Sequence, residues 1–214
     1  MKKEIMTFGN RHDKLEFCAS GRVMVCLNER EVETVENVPV GMGADGEMEY
    51  SEQPRKQYEY DVYWLDSVDG NTEGAVLQAA VASVIAEIVV YDESPSVNSF
   101  FINGRQISWS SADPSSPNKS VRMGLRQNIA DKMTRGEETI TLWMGDAPIT
   151  VSCKMAESLM CELENYAYEC FNVTASHRSA IADLSTIEEV MSYDYCAGYP
   201  DKLNINIQVS HLGK

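Results

Sequence analysis

A chain of 214 residues with 43% hydrophobic and 24% charged residues has the length and composition of a folded protein with one large core or two smaller ones, which excludes a disordered chain. Its 33 acidic and 18 basic residues leave a formal charge of −15, a field that repels phosphate backbones, so nucleic-acid binding is disfavoured. The six cysteines form no CxxC pair and MKKEIMTFGN has no apolar run behind its lysines, so reduced thiols and no secretory signal are expected.

The first third reads as β. LEFCAS (15–20) and RVMVCLNE (22–29) are rich in strand formers and meet at a Ser20-Gly21 turn. Residues 37–57 hold three glycines and two prolines, which fits a long loop or a β-hairpin with a mobile tip. QYEYDVYWLDSV (57–68) alternates, with Tyr58, Tyr60, Val62 and Trp64 on one side and Glu59, Asp61 and Tyr63 on the other, as in a half-buried strand. After the Asp69-Gly70 turn, Asn71 or Thr72 is placed to cap a helix running to about Tyr91. Its apolar stretch, 75–91, is interrupted by Gln78 and Glu87, so a buried helix is expected and no membrane contact.

Turn residues gather in Asp92–Ser96, and the domain boundary is placed there, giving parts 1–94 and 95–214. Strands at 99–104 and 105–110 surround an Asn103-Gly104 hairpin signal, and 111–120 reads as a loop. A helix over about 120–135 carries Val121, Leu125 and Ile129 on one stripe and stops at Gly136. Strands 137–145 and 147–153 form a hairpin with Ile140, Leu142 and Met144 on one face. The longest helix spans roughly 155–184. Ser185-Thr186-Ile187-Glu188 reads as a capping box for one more short helix, and 203–209 alternates as a closing strand. The fold class expected is α+β: a mostly antiparallel N-terminal part with one helix, then a β-hairpin and long-helix part.

On the long helix, Leu159, Leu163, Tyr166, Cys170, Val173, His177, Ala180 and Leu184 follow steps of 3 and 4, a heptad seam. Cys170 and His177 are members of it, and seven residues of helix, roughly 10 Å, is too far for an easy thiol–imidazole bond. Packing, not nucleophilic chemistry, is the reading. Cys153, Cys161 and Cys170 lack the short spacings of a zinc site, so no metal and no cofactor is expected. The glutamates of this helix lie off the seam, GMGADGEM lacks the Lys-Ser/Thr ending of a phosphate loop, and no serine sits in a nucleophile elbow. No enzyme signature is present. The tyrosine and tryptophan clusters (Tyr58, Tyr60, Tyr63 and Trp64; Tyr193, Tyr195 and Tyr199) suit core packing or, alternatively, a protein–protein contact.

The C-terminal half carries a longer pattern: Leu142-Trp143 in the hairpin; Tyr166-Ala167, Cys170, Asn172-Val173-Thr174 and His177 on the long helix; Glu188-Glu189-Val190; and Tyr193-Asp194 with Gly198-Tyr199-Pro200. Over about residues 100–204 this resembles a domain-of-unknown-function family common in prophages and in phage tail or tail-fibre proteins. EIMTFGNRHDKLEFCASG (4–21) is similar to the opening of small prophage proteins of gut anaerobes. The resemblance transfers no catalytic residue. It implies a non-enzymatic virion protein of the tail or tail fibre, assembled in the host cytoplasm. Such a protein would act by self-association and docking on other phage structural proteins. A tail-fibre assembly chaperone is the alternative, and a glycan hydrolase using carboxylates a lesser one. The interface candidates are Tyr58, Tyr60, Trp64, Tyr193 and Tyr199, together with the seam residues Leu159, Leu163, Tyr166, Cys170, Val173 and His177.

Overall fold

The structure, a computed structural model, describes residues 2–42, 46–108, 119–144 and 147–207. It is a mixed α+β fold that divides into two compact units. One comprises the chain up to Val84 together with Leu184–Tyr193; the other comprises Ile85–Asp183 and the chain from Asp194 onward.

In the first unit, β1 (Glu4–Phe8), β2 (Leu15–Phe17), β3 (Val23–Met42) and β4 (Met48–Leu65) form an antiparallel sheet in the order β1-β4-β3-β2. Ala19–Gly21 makes a single 3-10 turn between β2 and β3. Gly21 adopts φ +70°, and a Cβ there would lie 3.1 Å from the Val68 carbonyl oxygen, so the turn requires glycine. Residues 37–57 form a hairpin, not a loop: the prolines and Gly41 are accommodated within paired strands and by an irregularity between Pro39 and Gly41. The tip, 43–45, lies outside the described residues.

The alternation expected in β4 holds for the aromatic face. Tyr60 and Val62 are buried with Met24 and Cys26, and Met6, Phe8, Tyr58 and Trp64 pack against them. The opposite face departs from expectation, because Asp61, Tyr63 and Leu65 are buried too. The strand is covered on both sides at its C-terminal end, which a period of two cannot reveal.

Helix α1 (Glu73–Glu93) starts where the Thr72 hydroxyl accepts the Ala75 N–H at 3.2 Å. By length and composition it is apolar enough to cross a membrane. Its burial is confined to one stripe, Val76, Ala80, Val84 and Ile88, while Val89 and Val90 are exposed. Ala82 and Ala86, off that stripe, are exposed as well. In sequence the two units change over within α1, between Val84 and Ile85.

In the second unit, β5 (Ser99–Ile102) and β6 (Arg105–Ser108) pair around Asn103 (φ 50°) and Gly104 (φ 76°), the two left-handed residues of a tight hairpin. Then follow α2 (Lys119–Thr134), β7 (Thr139–Met144), β8 (Ala147–Ser152) and α3 (Cys153–Ala182). Gly136, at φ 75°, lets the chain leave α2. The Ser152 hydroxyl accepts the Met155 N–H and caps α3. The core joins Phe100 and Ile102 of β5, Ile129 of α2, Leu142 of β7 and Met160 and Leu163 of α3, among others. The closing strand, β9 (Asn204–Ile205), is shorter than expected within the described residues and pairs parallel to β5. The expected loop up to residue 118, the turn at 145–146, the Val121 and Met144 side chains and the chain from 208 lie outside the described residues.

The last helix, α4 (Ile187–Ser192), belongs to the first unit. Its capping box is Thr186 with Glu189, one residue later than expected: the Thr186 hydroxyl accepts the Glu189 N–H while the Glu189 carboxylate takes the Thr186 N–H. Glu188 is engaged elsewhere, by the Lys14 ammonium at 2.8 Å, which also contacts Glu73.

Candidate interaction surface

The heptad seam of α3 is largely consumed by its own unit. Leu159, Leu163 and Cys170 are buried, alongside Ala156, Met160, Thr174 and Ile181, which the 3–4 reading omitted. A straight helix of 3.6 residues per turn drifts off a strict heptad, so the buried face moves from the 159/163 line to the 174/181 line. Tyr166 is half-buried and donates to the Val97 carbonyl at 3.1 Å. Val173 is half-buried as well.

Around the C-terminal half of α3 lies a polar network. The Thr174 hydroxyl donates to Asp92 at 2.6 Å, so the hydroxyl of Tyr199, 2.9 Å away, must donate to Thr174. His177 stacks obliquely on the Tyr199 ring and its Nε2 donates to the Ala197 carbonyl at 2.9 Å. Tyr91 meets the rings of Tyr195 and Tyr199 edge-on. Burial pushes the Cys170 thiol pKa up, which disfavours the thiolate. The Cys170–His177 pair is thus spent on packing and on holding the 194–200 turn. Tyr193 is half-buried at the end of α4.

Of the aromatic candidates in the first unit, Tyr60 is buried and its hydroxyl donates to Glu29 at 2.8 Å. The Trp64 ring is covered by the Arg22 guanidinium, 4.3 Å from the ring centroid, and Tyr58 by that of Arg11 at 5.1 Å. Asp61, a candidate carboxylate, is fully engaged: Asn28 and Arg30 donate to it at 2.9 and 2.8 Å and Lys3 at 3.3 Å. The Asn28 hydrogen bond, followed by those from Arg30 and Lys3, holds its pKa below the ordinary aspartate value against the opposing effect of burial. Among the described residues no group of three His, Cys, Asp or Glu side chains is placed to hold a metal ion.

Among the described residues, large apolar side chains are also exposed on a surface the sequence did not single out. β1 pairs with β4 only as far as Tyr58, and β2 with β3 only as far as Val25. Beyond those points β3 and β4 continue as a two-stranded ribbon to Met42 and Met48. Cross-strand register places Val35 opposite Pro54, Pro39 opposite Tyr50 and Met42 opposite Met48. Side chains alternate along β4, so Met48, Tyr50 and Pro54 share one face; the extra residue at Val40 restores Met42 to that face after Pro39. The other face is mainly polar, with Glu36, Arg55, Gln53 and Ser51. The Met48–Tyr50–Pro54 face carries the large apolar side chains, interrupted by Glu33, Asn37, Glu52 and Lys56, and the apolar ones are bare: Val35, Met42, Met48 and Tyr50 are 66%, 75%, 53% and 63% exposed. That side continues the face of β4 bearing Tyr58, Tyr60 and Trp64.

No family model, no curated protein and no solved structure matches the chain.

Proposed function

We propose that this is a non-enzymatic assembly protein that works by docking through its β3–β4 ribbon, and that its setting is the tail or tail fibre of a bacteriophage. The observation that carries the docking reading is the ribbon itself. A two-stranded extension with large apolar side chains exposed on one face cannot be explained by the stability of its own sheet, since among the described residues nothing packs on that face. Free backbone edges and exposed Met and Tyr side chains are what a chain retains when another surface is to cover them. The phage setting is supported by the LWM, YAYECFNVT and GYP segments alone. In this reading the partners are further structural proteins and copies of the same chain, and no nucleic acid, membrane or cofactor takes part.

Mass spectrometry of purified particles from a lysogen carrying the gene tests the setting. Recovery of the chain at a fixed stoichiometry to the major tail proteins is expected. Absence from particles, with abundance in the infected cell, overturns the virion assignment in favour of an assembly chaperone.

A further inference from the structure

Resting on the docking reading, we infer that the bare face of the ribbon is covered by the same face of a second copy, the two related by a two-fold axis along the ribbon. The reason lies in the register. Turning a two-stranded ribbon about its own length brings β3 of one copy over β4 of the other, so each cross-strand pair within a copy becomes a pair across the interface. Met42 then meets Met48, Pro39 meets Tyr50 and Val35 meets Pro54. Under the same operation Asn37 faces Glu52, and Glu33 faces Lys56, whose ammonium binds Glu31 of its own chain at 2.6 Å. No row places like charges opposite one another.

Edge-to-edge pairing is the competing route to a dimer, and the ribbon is built against it. Pro54 removes an N–H from β4 and Pro39 one from β3, and a bulge at Val40 bends the outer edge. Area sets the strength. An apolar side chain removes roughly 60–120 Å² from water on burial, so six per copy give about 1,000 Å² in total, at the low end for a specific interface. The dimer is therefore reversible, with dissociation on the order of 10–100 µM. Each chain carries −15, so bringing two together is opposed by charge, and salt favours the pair.

Sedimentation velocity of the full chain from about 5 to 500 µM, at low and high salt, tests this. A concentration-dependent monomer–dimer shift that persists or strengthens with salt is expected. Val35→Ser with Tyr50→Ser should raise the dissociation constant at least about tenfold, while Gln53→Ser on the opposite face should leave it unchanged. All of these side chains are exposed or on the ribbon surface, and unchanged thermal melts would verify that the variants fold. A chain monomeric throughout, a dimer indifferent to the Val35/Tyr50 change, or a dimer abolished by salt overturns the inference. None of these results bears on whether the chain is found in particles.

Discussion

Asp61 shows how much a single residue can conceal. Alternation put it opposite Tyr60 and so on an exposed side, yet its side chain is 6% exposed and bound by three donors. The donors come from Lys3, Asn28 and Arg30, all remote from it in sequence, so no local pattern could announce them. Asp61→Ala leaves those donors without their acceptor and should cost about 2–3 kcal/mol, measured by urea unfolding. The pH dependence follows from the direction of its shift. Its folded pKa lies below the unfolded value of about 3.9, so its contribution is complete above that value and is lost as pH falls through the folded pKa. The Asp61→Ala chain should therefore show a smaller loss of stability than the native chain in this acid window, and an equal loss would contradict the role given to Asp61. Cys170 is the opposite case: its burial on α3 was legible, because a 3–4 spacing is a local property, whereas His177 lies off the buried line and meets the Ala197 carbonyl and the Tyr199 ring.

At the scale of elements, hairpins, caps and helices were readable where a turn residue and a period coincide, as at Asn103-Gly104 and Thr72. Two overlapping matches to a capping box exist, Ser185 with Glu188 and Thr186 with Glu189, and sequence alone cannot choose between them. The choice is made by tertiary chemistry, since Lys14 claims Glu188 and lowers that carboxyl's pKa. Thr186→Ala should cost about 1 kcal/mol in thermal unfolding, whereas Ser185→Ala should change little; equal effects would place the cap elsewhere. The ribbon was half legible. MEYSEQP alternates Met48 and Tyr50 plainly, but its glycine and proline content suggested a loop equally well. That Val35, Pro39 and Met42 share the face of Met48 and Tyr50 depends on the pairing and on the bulge at Val40, neither of which a single strand encodes.

For the molecule as a whole, charge is the property most directly readable. A pI of about 4.6 means that self-repulsion vanishes in mild acid. Solubility should pass through a minimum near that pH, and dimer formation should strengthen on the approach to it; light scattering across pH 4–8 measures both, and weakening toward the pI would show that charge attraction, not apolar contact, holds copies together. The α+β class and the order of elements were legible because each element is local. The division of the chain was not, because a helix that continues from one unit into the other leaves no mark in composition.

The return of Leu184–Tyr193 to the first unit has a consequence for how the protein is made. The sheet emerges from the ribosome first, but Ile187 and Val190, both buried, and Glu188, which holds Lys14, are translated only after Ile85–Asp183. At about 5–20 residues per second, the first unit waits roughly 5–20 s for its last segment, with its ribbon already formed or forming. During that interval the second unit is synthesised almost whole. The part of the protein that begins first is therefore among the last to be finished, and nascent chains expose the apolar ribbon before the unit that carries it is complete.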